Sequence, residues 1–465
     1  MDKKEEREAM KTILISILQG IEAKNILRTK ICETLLKEPD IRLVFLVGSQ
    51  EKLHYYSREF HHARMFYELM PPFKLSGPAR FFSFLKFKLI NTETMDLRRK
   101  MAAQNSWVNK LSYSFTFLFN RVFARKTFRR IVRWLDYYLV FNNVFSGLFE
   151  KYKPEAVLLA HLFDDGEAAL LSEAKRRKIL GVGLINSWDK LTARCMLRTL
   201  PDKLLVYNNV VKEEAIKYAD LTESDIIAVG VPHYDQYFTG KPRTKEEFYQ
   251  RVNIDPQKRI ILYSPVGKYF SDSDWDIIDL LKSYVDHELK SYNVELLVRF
   301  QPNDFVDENE IKNRSWLRYD LPGIRFSRKR GVDWDMSFNE LDHLFDTLYY
   351  CSVLVCYAAS ISVDAAVLDR PVINVNFELK SKQKMSQTPT YFYQMDHYRR
   401  ALATGGIHLV NSKSELIEWL KKYLDQPGLD AEGRSRLVDQ QCEKKDGRAG
   451  ERAADFLINV LCQRG

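Results

Sequence analysis

Three short polar runs in this chain place acid–base groups directly after apolar segments. His161-Leu-Phe-Asp164-Asp165-Gly166-Glu167 gathers one imidazole and three carboxylates within seven positions. Ile185-Asn186-Ser187-Trp188-Asp189-Lys190 sets a carboxylate beside a cation, and a carboxylate so placed can take a hydroxyl proton as general base. Asp189 is the first candidate for that role and His161 the second. Asp164 and Lys190 would line the same place. Asp165 and Gly166 also suit capping of the next helix, and Trp188 also suits packing between domains. Gln19-Gly20-Ile-Glu22 is the third run. There Gly20 would let a helix N-terminus approach a ligand, or would only turn the chain.

A second set suits phosphate. Ser264-Pro265-Val-Gly267-Lys268 offers backbone amides and one cation, but lacks the spacing and GKS/T ending of a P-loop. Arg299-Phe-Gln301-Pro302 puts a guanidinium, able to hold phosphate in two hydrogen bonds, ahead of a fixed turn. In Cys356-Tyr-Ala-Ala-Ser360-Ile-Ser362-Val-Asp364 a strand leads through small residues into a helix. Its amides and hydroxyls could grip a diphosphate while Asp364 accepts ribose hydroxyls; Ser360 or Ser362 could equally be a plain N-cap. The six cysteines form no CxxC, and no spacing suggests a metal site or a Ser/His/Asp hydrolase.

Positioning these groups requires strands that end beneath them. Continuous apolar runs recur at Thr12–Leu18, Arg42–Val47, Ala156–Ala160, Gly181–Ile185, Lys203–Tyr207 and Ile226–Val229. A second series follows at Arg259–Tyr263, Val294–Phe300, Gly323–Phe326, Val353–Tyr357, Val372–Val375 and Ile407–Val410. Unbroken apolar strands alternating with helical patterns predict α/β architecture with parallel sheets covered on both faces. The 465 residues thus divide into two Rossmann-like domains facing a central cleft. The expected boundaries are 1–240, with a helical insertion at about 74–150, then 241–445, then a C-terminal helix at 446–465 packing back across the domains.

Charge is uneven. Residues 74–135 hold 14 basic and two acidic side chains, so this stretch carries +12 while the remainder sums to −3. Phe81, Phe84, Phe87, Trp107, Phe115, Phe119 and Trp134 are interleaved with its cations. Such a pattern suits an anionic membrane surface, or a helical insertion whose arginines are merely solvated. Nucleic acid is the least favoured partner, because no recognised binding motif accompanies the charge. The charged N-terminus does not open a secretory signal and no run of about 18 apolar residues exists. A cytoplasmic protein, peripheral on the inner face of the plasma membrane, is therefore expected.

From Ala156 to Leu461 the chain resembles GT-B glycosyltransferases of bacterial surface-polysaccharide synthesis, and their polyol-phosphate-transferring and 2-epimerase relatives. Four stretches carry the resemblance: Ser360–Ile373, Gly230-Val-Pro232-His-Tyr-Asp235, Ser187–Thr192 and Asp446–Arg452. The first resembles a donor-binding strand and helix, the second a G-x-P-x-x-D closing the first domain, and the third an acceptor-side loop. The fourth resembles the terminal helix of polysaccharide-assembly members. The His-Gly pair common at the acceptor loop of glycerophosphate transferases is replaced by Trp188-Asp189, and the donor-helix Glu of the wider superfamily is Asp364.

The resemblance implies transfer of a sugar from a nucleotide-activated donor to an acceptor hydroxyl of a glycan or lipid-linked acceptor. Lys268, Arg299, Gln301, Ser360, Ser362 and Asp364 would hold the donor. Gly20, Asp164, Trp188 and Lys190 would flank the acceptor, with Asp189 or His161 as base. No cofactor or metal is implied. The alternatives are a 2-epimerase or polyol-phosphate transferase on the same fold, or a non-catalytic sugar-nucleotide-binding protein.

Overall fold

The computed structural model describes residues 10–75, 77–104, 107–327, 333–380 and 384–464. The acidic and basic N-terminal run expected above, and the side chain of Trp107, lie outside the described residues. The chain forms two compact units: residues 1–96, 111–235 and 442–465 make unit 1, and residues 97–110 and 236–441 make unit 2.

Unit 1 is built on seven strands: β1 (Lys11–Ile17), β2 (Ile41–Val47), β3 (Met65–Leu69), β4 (Ala156–Leu159), β5 (Leu180–Leu184), β6 (Lys203–Val206) and β7 (Ile226–Ala228). Their order is β3-β2-β1-β4-β5-β6-β7 and every pairing is parallel. Ile13, Ile15 and Ile17 of β1 enter one apolar core and Leu14 the other, which is why the strand reads as unbroken hydrophobic sequence. Because all strands run the same way, their carboxyl ends lie along one edge of the sheet.

Five helices, Gly77–Leu85, Glu93–Ala103, Trp107–Phe123, Lys126–Leu139 and Ser146–Tyr152, intervene between β3 and β4. Phe82, Leu85, Leu89, Val132 and Met196 form a small core where the Gly77–Leu85 and Lys126–Leu139 helices meet. Part of the expected surface charge is internal. Arg129 and Arg133 are buried and share the Asp220 carboxylate, and buried Lys86 pairs with Asp165 at 2.9 Å. Aromatic side chains remain outside: Phe115 is 71% exposed and Phe84 62%.

Two of the recognised stretches meet in unit 1. The Asp235 carboxylate accepts hydrogen bonds from the amides of Ala449 (2.9 Å) and Gly450 (2.8 Å), capping the Ala449–Arg464 helix. Gly230, at φ +99°, leaves room for this: a Cβ there would sit 2.9 Å from that of Ala449. The capped helix packs on the Lys30–Leu35 helix.

Unit 2 has a six-stranded parallel sheet made from β8 (Arg259–Ser264), β9 (Val294–Arg299), β10 (Arg318–Asp320), β13 (Cys351–Cys356), β14 (Val372–Val375) and β15 (His408–Val410). Its order is β10-β9-β8-β13-β14-β15. The strand expected at Gly323–Phe326 is not in this sheet. Gly323 turns the chain at φ +94°, so β11 (Ile324–Arg325) pairs antiparallel with β12 (Trp334–Asp335), and β10 takes the sheet edge.

Candidate functional site

In unit 1, β1, β4 and β5 are neighbours, so the loops at their carboxyl ends converge. Gln19 caps the short helix Gly20–Asn25, and Glu22 folds back to accept the amides of Leu18 (2.5 Å) and Gln19 (3.0 Å). That reciprocal cap draws Glu22 out of water. Burial pushes its carboxyl up to about 7, against the pull of those amides and of Lys190 and Lys52. Its second oxygen, Oε1, has no hydrogen-bond partner among the described residues and lies 3.8 Å from His161 Nδ1, which also has none among them.

His161 follows β4. Its Nε2 is 3.2 Å from Gln19 Nε2, so with the amide as donor the ring carries its proton on Nδ1. Burial, then the cations Lys190, Arg194 and Lys86, drive its pKa down to about 3 and keep the imidazole neutral. The His161 amide donates to Glu167 Oε2 at 2.8 Å, and Ser16 donates to Glu167 Oε1 at 2.6 Å. Burial and the nearby Glu22 raise Glu167 well above the usual carboxylate range.

After β5 comes Asn186, buried, with neither amide atom partnered among the described residues. Buried polar groups are almost always satisfied, so these four orphaned atoms on neighbouring loops mark a candidate ligand site. Lys190 is buried and its pKa is lowered by that burial and by Arg194. Asp189 is half-buried and makes no side-chain cap to the Lys190–Ala193 helix; its Oδ1 accepts the Ser187 hydroxyl at 2.5 Å.

The other residues expected here take structural positions. Gly20 sits buried in the first turn of its helix without a positive φ, so no special backbone conformation is required of it. Asp164 spends its carboxylate capping the Asp165–Arg176 helix through the amides of Gly166 and Glu167. Asp165 is held by Lys86 and Arg198. Trp188 is half-buried beside Asp189.

In unit 2, a cavity of about 410 Å³ opens at the ends of β8 and β9, lined in part by Lys268, Asp272, Asp274, Trp275, Phe300 and Asp304. Asp274 accepts the Tyr263 hydroxyl (2.7 Å) and the Gly267 amide (2.8 Å), and burial raises it to about 6. Gly267, at φ +89°, is obligatory: a Cβ there would stand 2.3 Å from Asp304. Lys268 is exposed, and Gln301 Nε2 ties this loop to the next through the Pro265 carbonyl at 3.3 Å.

The remaining phosphate candidates differ in access. Ser360 is exposed at the start of the Ile361–Val367 helix, so that helix end reaches solvent. Ser362 is fully buried, bonded to Tyr398, Asn374 and Cys356, and gives its hydroxyl to the core. Arg299 is buried with Nη1 on Asp320 at 3.0 Å, while its Nη2 has no partner among the described residues. Asp364 accepts the Tyr237 hydroxyl at 2.7 Å; burial and Asp364 raise the Tyr237 pKa and Arg299 opposes that rise. Tyr237 therefore stands electrostatically between the two. Sequence reading missed Tyr237 and Asp274, and gave no role to Glu22 and Asn186 although both stand in the polar runs after β1 and β5. Asp274, in the Ser-Asp-Ser-Asp-Trp run ahead of a helix, also carries a local signal. Among the described residues no group of three His, Cys, Asp or Glu side chains converges as a metal site.

Residues 194–459, more than half of the chain, match the profile of a family described as CDP-glycerol:poly(glycerophosphate) glycerophosphotransferase. A UDP-N,N'-diacetylbacillosamine 2-epimerase (hydrolyzing) of Legionella pneumophila is 24% identical over 268 residues, 56% of this chain. The match spans 65% of that relative's length. Among solved structures, the UDP-GlcNAc 2-epimerase of Neisseria meningitidis bound to UDP-GlcNAc aligns with a TM-score of 0.53 at 13% identity, over 96% of this chain and 100% of the other. A variant of the wall teichoic acid polymerase TagF soaked with CDPG aligns with a TM-score of 0.52 at 12% identity, over 98% and 91%. These structures share the fold: two parallel-sheet α/β units.

Proposed function

This chain belongs to the CDP-glycerol:poly(glycerophosphate) glycerophosphotransferase family, and on that premise we propose that it is a GT-B transferase. It moves a glycosyl or glycerophosphoryl group from a nucleotide-activated donor to an acceptor hydroxyl in cell-surface polymer assembly. The observation that carries this reading is the set of orphaned buried polar groups, Glu22 Oε1, His161 Nδ1 and Asn186, at neighbouring strand ends. Unit 1 supplies the acceptor side. Asp189 accepts the hydroxyl proton as the acceptor oxygen attacks, and neutral His161 with Glu22 holds the hydroxyl's surroundings.

Unit 2 supplies the donor side. The exposed helix end at Ser360 and the Lys268 ammonium offset charge on the departing phosphate. The two versions differ in the bond broken. Glycosyl transfer cleaves the sugar carbon–oxygen bond and releases a nucleoside diphosphate. Glycerophosphoryl transfer cleaves the phosphoanhydride and releases a nucleoside monophosphate. The basic aromatic stretch at residues 74–135 brings the enzyme to an anionic membrane surface carrying a lipid-linked acceptor. No helix among the described residues is long and apolar enough to cross a membrane.

A second reading, 2-epimerisation of a sugar nucleotide, is favoured by the identity to the hydrolysing epimerase. One experiment separates them: incubation with CDP-glycerol and a panel of UDP-sugars, with and without a lipid-linked acceptor, resolving nucleotide products. Acceptor-dependent release of nucleotide supports transfer. Conversion of UDP-sugar without any acceptor, and no acceptor-dependent release, would replace it with epimerisation.

A further inference from the structure

A basic and aromatic cavity of unit 1 lies away from the strand ends just described. Its volume is about 570 Å³, and Lys178, Ile179, Thr199, Leu200 and Asp202 line it immediately ahead of β5 and β6. It is therefore at the amino-terminal edge of the sheet, the edge opposite Asn186 and His161. The Lys126–Leu139 helix closes one side with Arg133, Trp134, Tyr137 and Tyr138.

We propose that this cavity binds the glycerophosphate headgroup of an anionic phospholipid, a partner that deepens the membrane-surface reading above and rests on it.

Positive charge in the wall exceeds what the protein neutralises. Arg129 and Arg133 divide Asp220 between them, with contacts of 2.5 and 2.7 Å. Lys175 has Asp202 at 3.2 Å, and Arg198 lies between Asp136 and Asp165. Lys178 has no ion pair among the described residues and is exposed, presented at φ +60° just past the end of the Asp165–Arg176 helix. An anion seated here would balance Lys178, with Arg133 and Arg198 adding positive potential from the wall.

The rim decides what kind of anion fits. Ile131, Trp134 and Tyr138 follow helical spacing on the closing helix and are 49%, 60% and 54% exposed. The Trp134 and Tyr138 rings lie 5.1 Å apart. Leu139 and Phe141, next along the chain, are exposed as well. A soluble phosphate leaves such a margin in water, whereas a phospholipid brings acyl chains to it and a headgroup to the cations. Trp and Tyr at the margin suit the headgroup level of a bilayer.

The test is vesicle flotation with phosphatidylcholine alone, with added phosphatidylglycerol, and with added phosphatidylserine. The 465-residue protein should float with phosphatidylglycerol, and soluble glycerophosphoglycerol should compete. Lys178→Glu and Trp134→Ala should each weaken that flotation, the charge reversal by at least about tenfold, with melting temperatures showing the fold intact. Flotation unchanged in both variants but lost in Phe115→Asp/Leu118→Asp would overturn the headgroup site and leave the membrane reading standing. No flotation with any vesicle would remove both. Equal flotation with phosphatidylserine, without competition by glycerophosphoglycerol, would show charge alone at work and overturn the glycerophosphate assignment.

Discussion

Glu22 Oε1 and His161 Nδ1 face each other across 3.8 Å, each buried and each without a hydrogen bond. Glu22 also holds the amides of Leu18 and Gln19, so an apolar replacement there would loosen the strand-end loop. The gap is what an arriving hydroxyl or water could close.

This pair makes stability depend on pH in two opposing ways. Glu22, raised to about 7, binds its proton more tightly folded than unfolded, so its contribution is full below pH 4.5 and fades as pH rises through 7. His161, lowered to about 3, contributes fully above pH 6.5 and loses that contribution as pH falls toward 3. Glu22→Gln should therefore flatten the fall in melting temperature between pH 5 and pH 8. A variant whose melting curve tracks the parent across that range would show that Glu22 does not titrate there.

Asp189→Asn keeps the shape of the side chain and its contact with Ser187. Turnover should fall about 100-fold or more while donor affinity stays as it was, the signature of a lost general base. Full turnover in steady-state kinetics, with donor binding intact by calorimetry, would remove Asp189 as the base.

Asn186 is buried with nothing to bond. Replacing it by leucine removes an unsatisfied amide of similar volume, so the melting temperature should hold or rise, by up to about 1 kcal/mol of stability. Activity should drop in the same variant. Loss of stability without loss of activity would identify an unseen internal partner.

Arg299 and Asp320 form a buried ion pair at 3.0 Å. Arg299→Leu should cost about 3 kcal/mol, because it strands the Asp320 carboxylate beside His343. If the spare Nη2 also holds the donor phosphate, Arg299→Leu with Asp320→Asn should restore part of the stability while the KM for donor stays high. Recovery of both in the double variant would leave Arg299 a purely structural residue.

Asp235→Ala removes the cap of the terminal helix. Loss of its two hydrogen bonds to Ala449 and Gly450 should cost about 1–2 kcal/mol. Hydrogen exchange should locate the loosening in the Ala449–Arg464 helix, and uniform loosening instead would rule out a local cap.

Hydrophobic runs and their spacing were enough to determine the α/β class and two parallel sheets, because a strand covered on both faces has no polar side to interrupt its sequence. They also determined that His161, Asn186 and Asp189 follow strands. Lengths of apolar sequence did not reveal that Gly323 would divert the chain from the sheet, since a positive φ is a backbone choice made against Pro302. The tertiary structure alone decided which polar groups are accessible. Ser360 and Ser362 are two positions apart, yet one meets solvent and the other is enclosed by Tyr398 and Asn374. It also drew Glu22 against His161 and hid Arg129 and Arg133 behind Asp220. Burial and pairing depend on residues distant in the chain, and it is desolvation by those neighbours that sets each group's charge and chemistry.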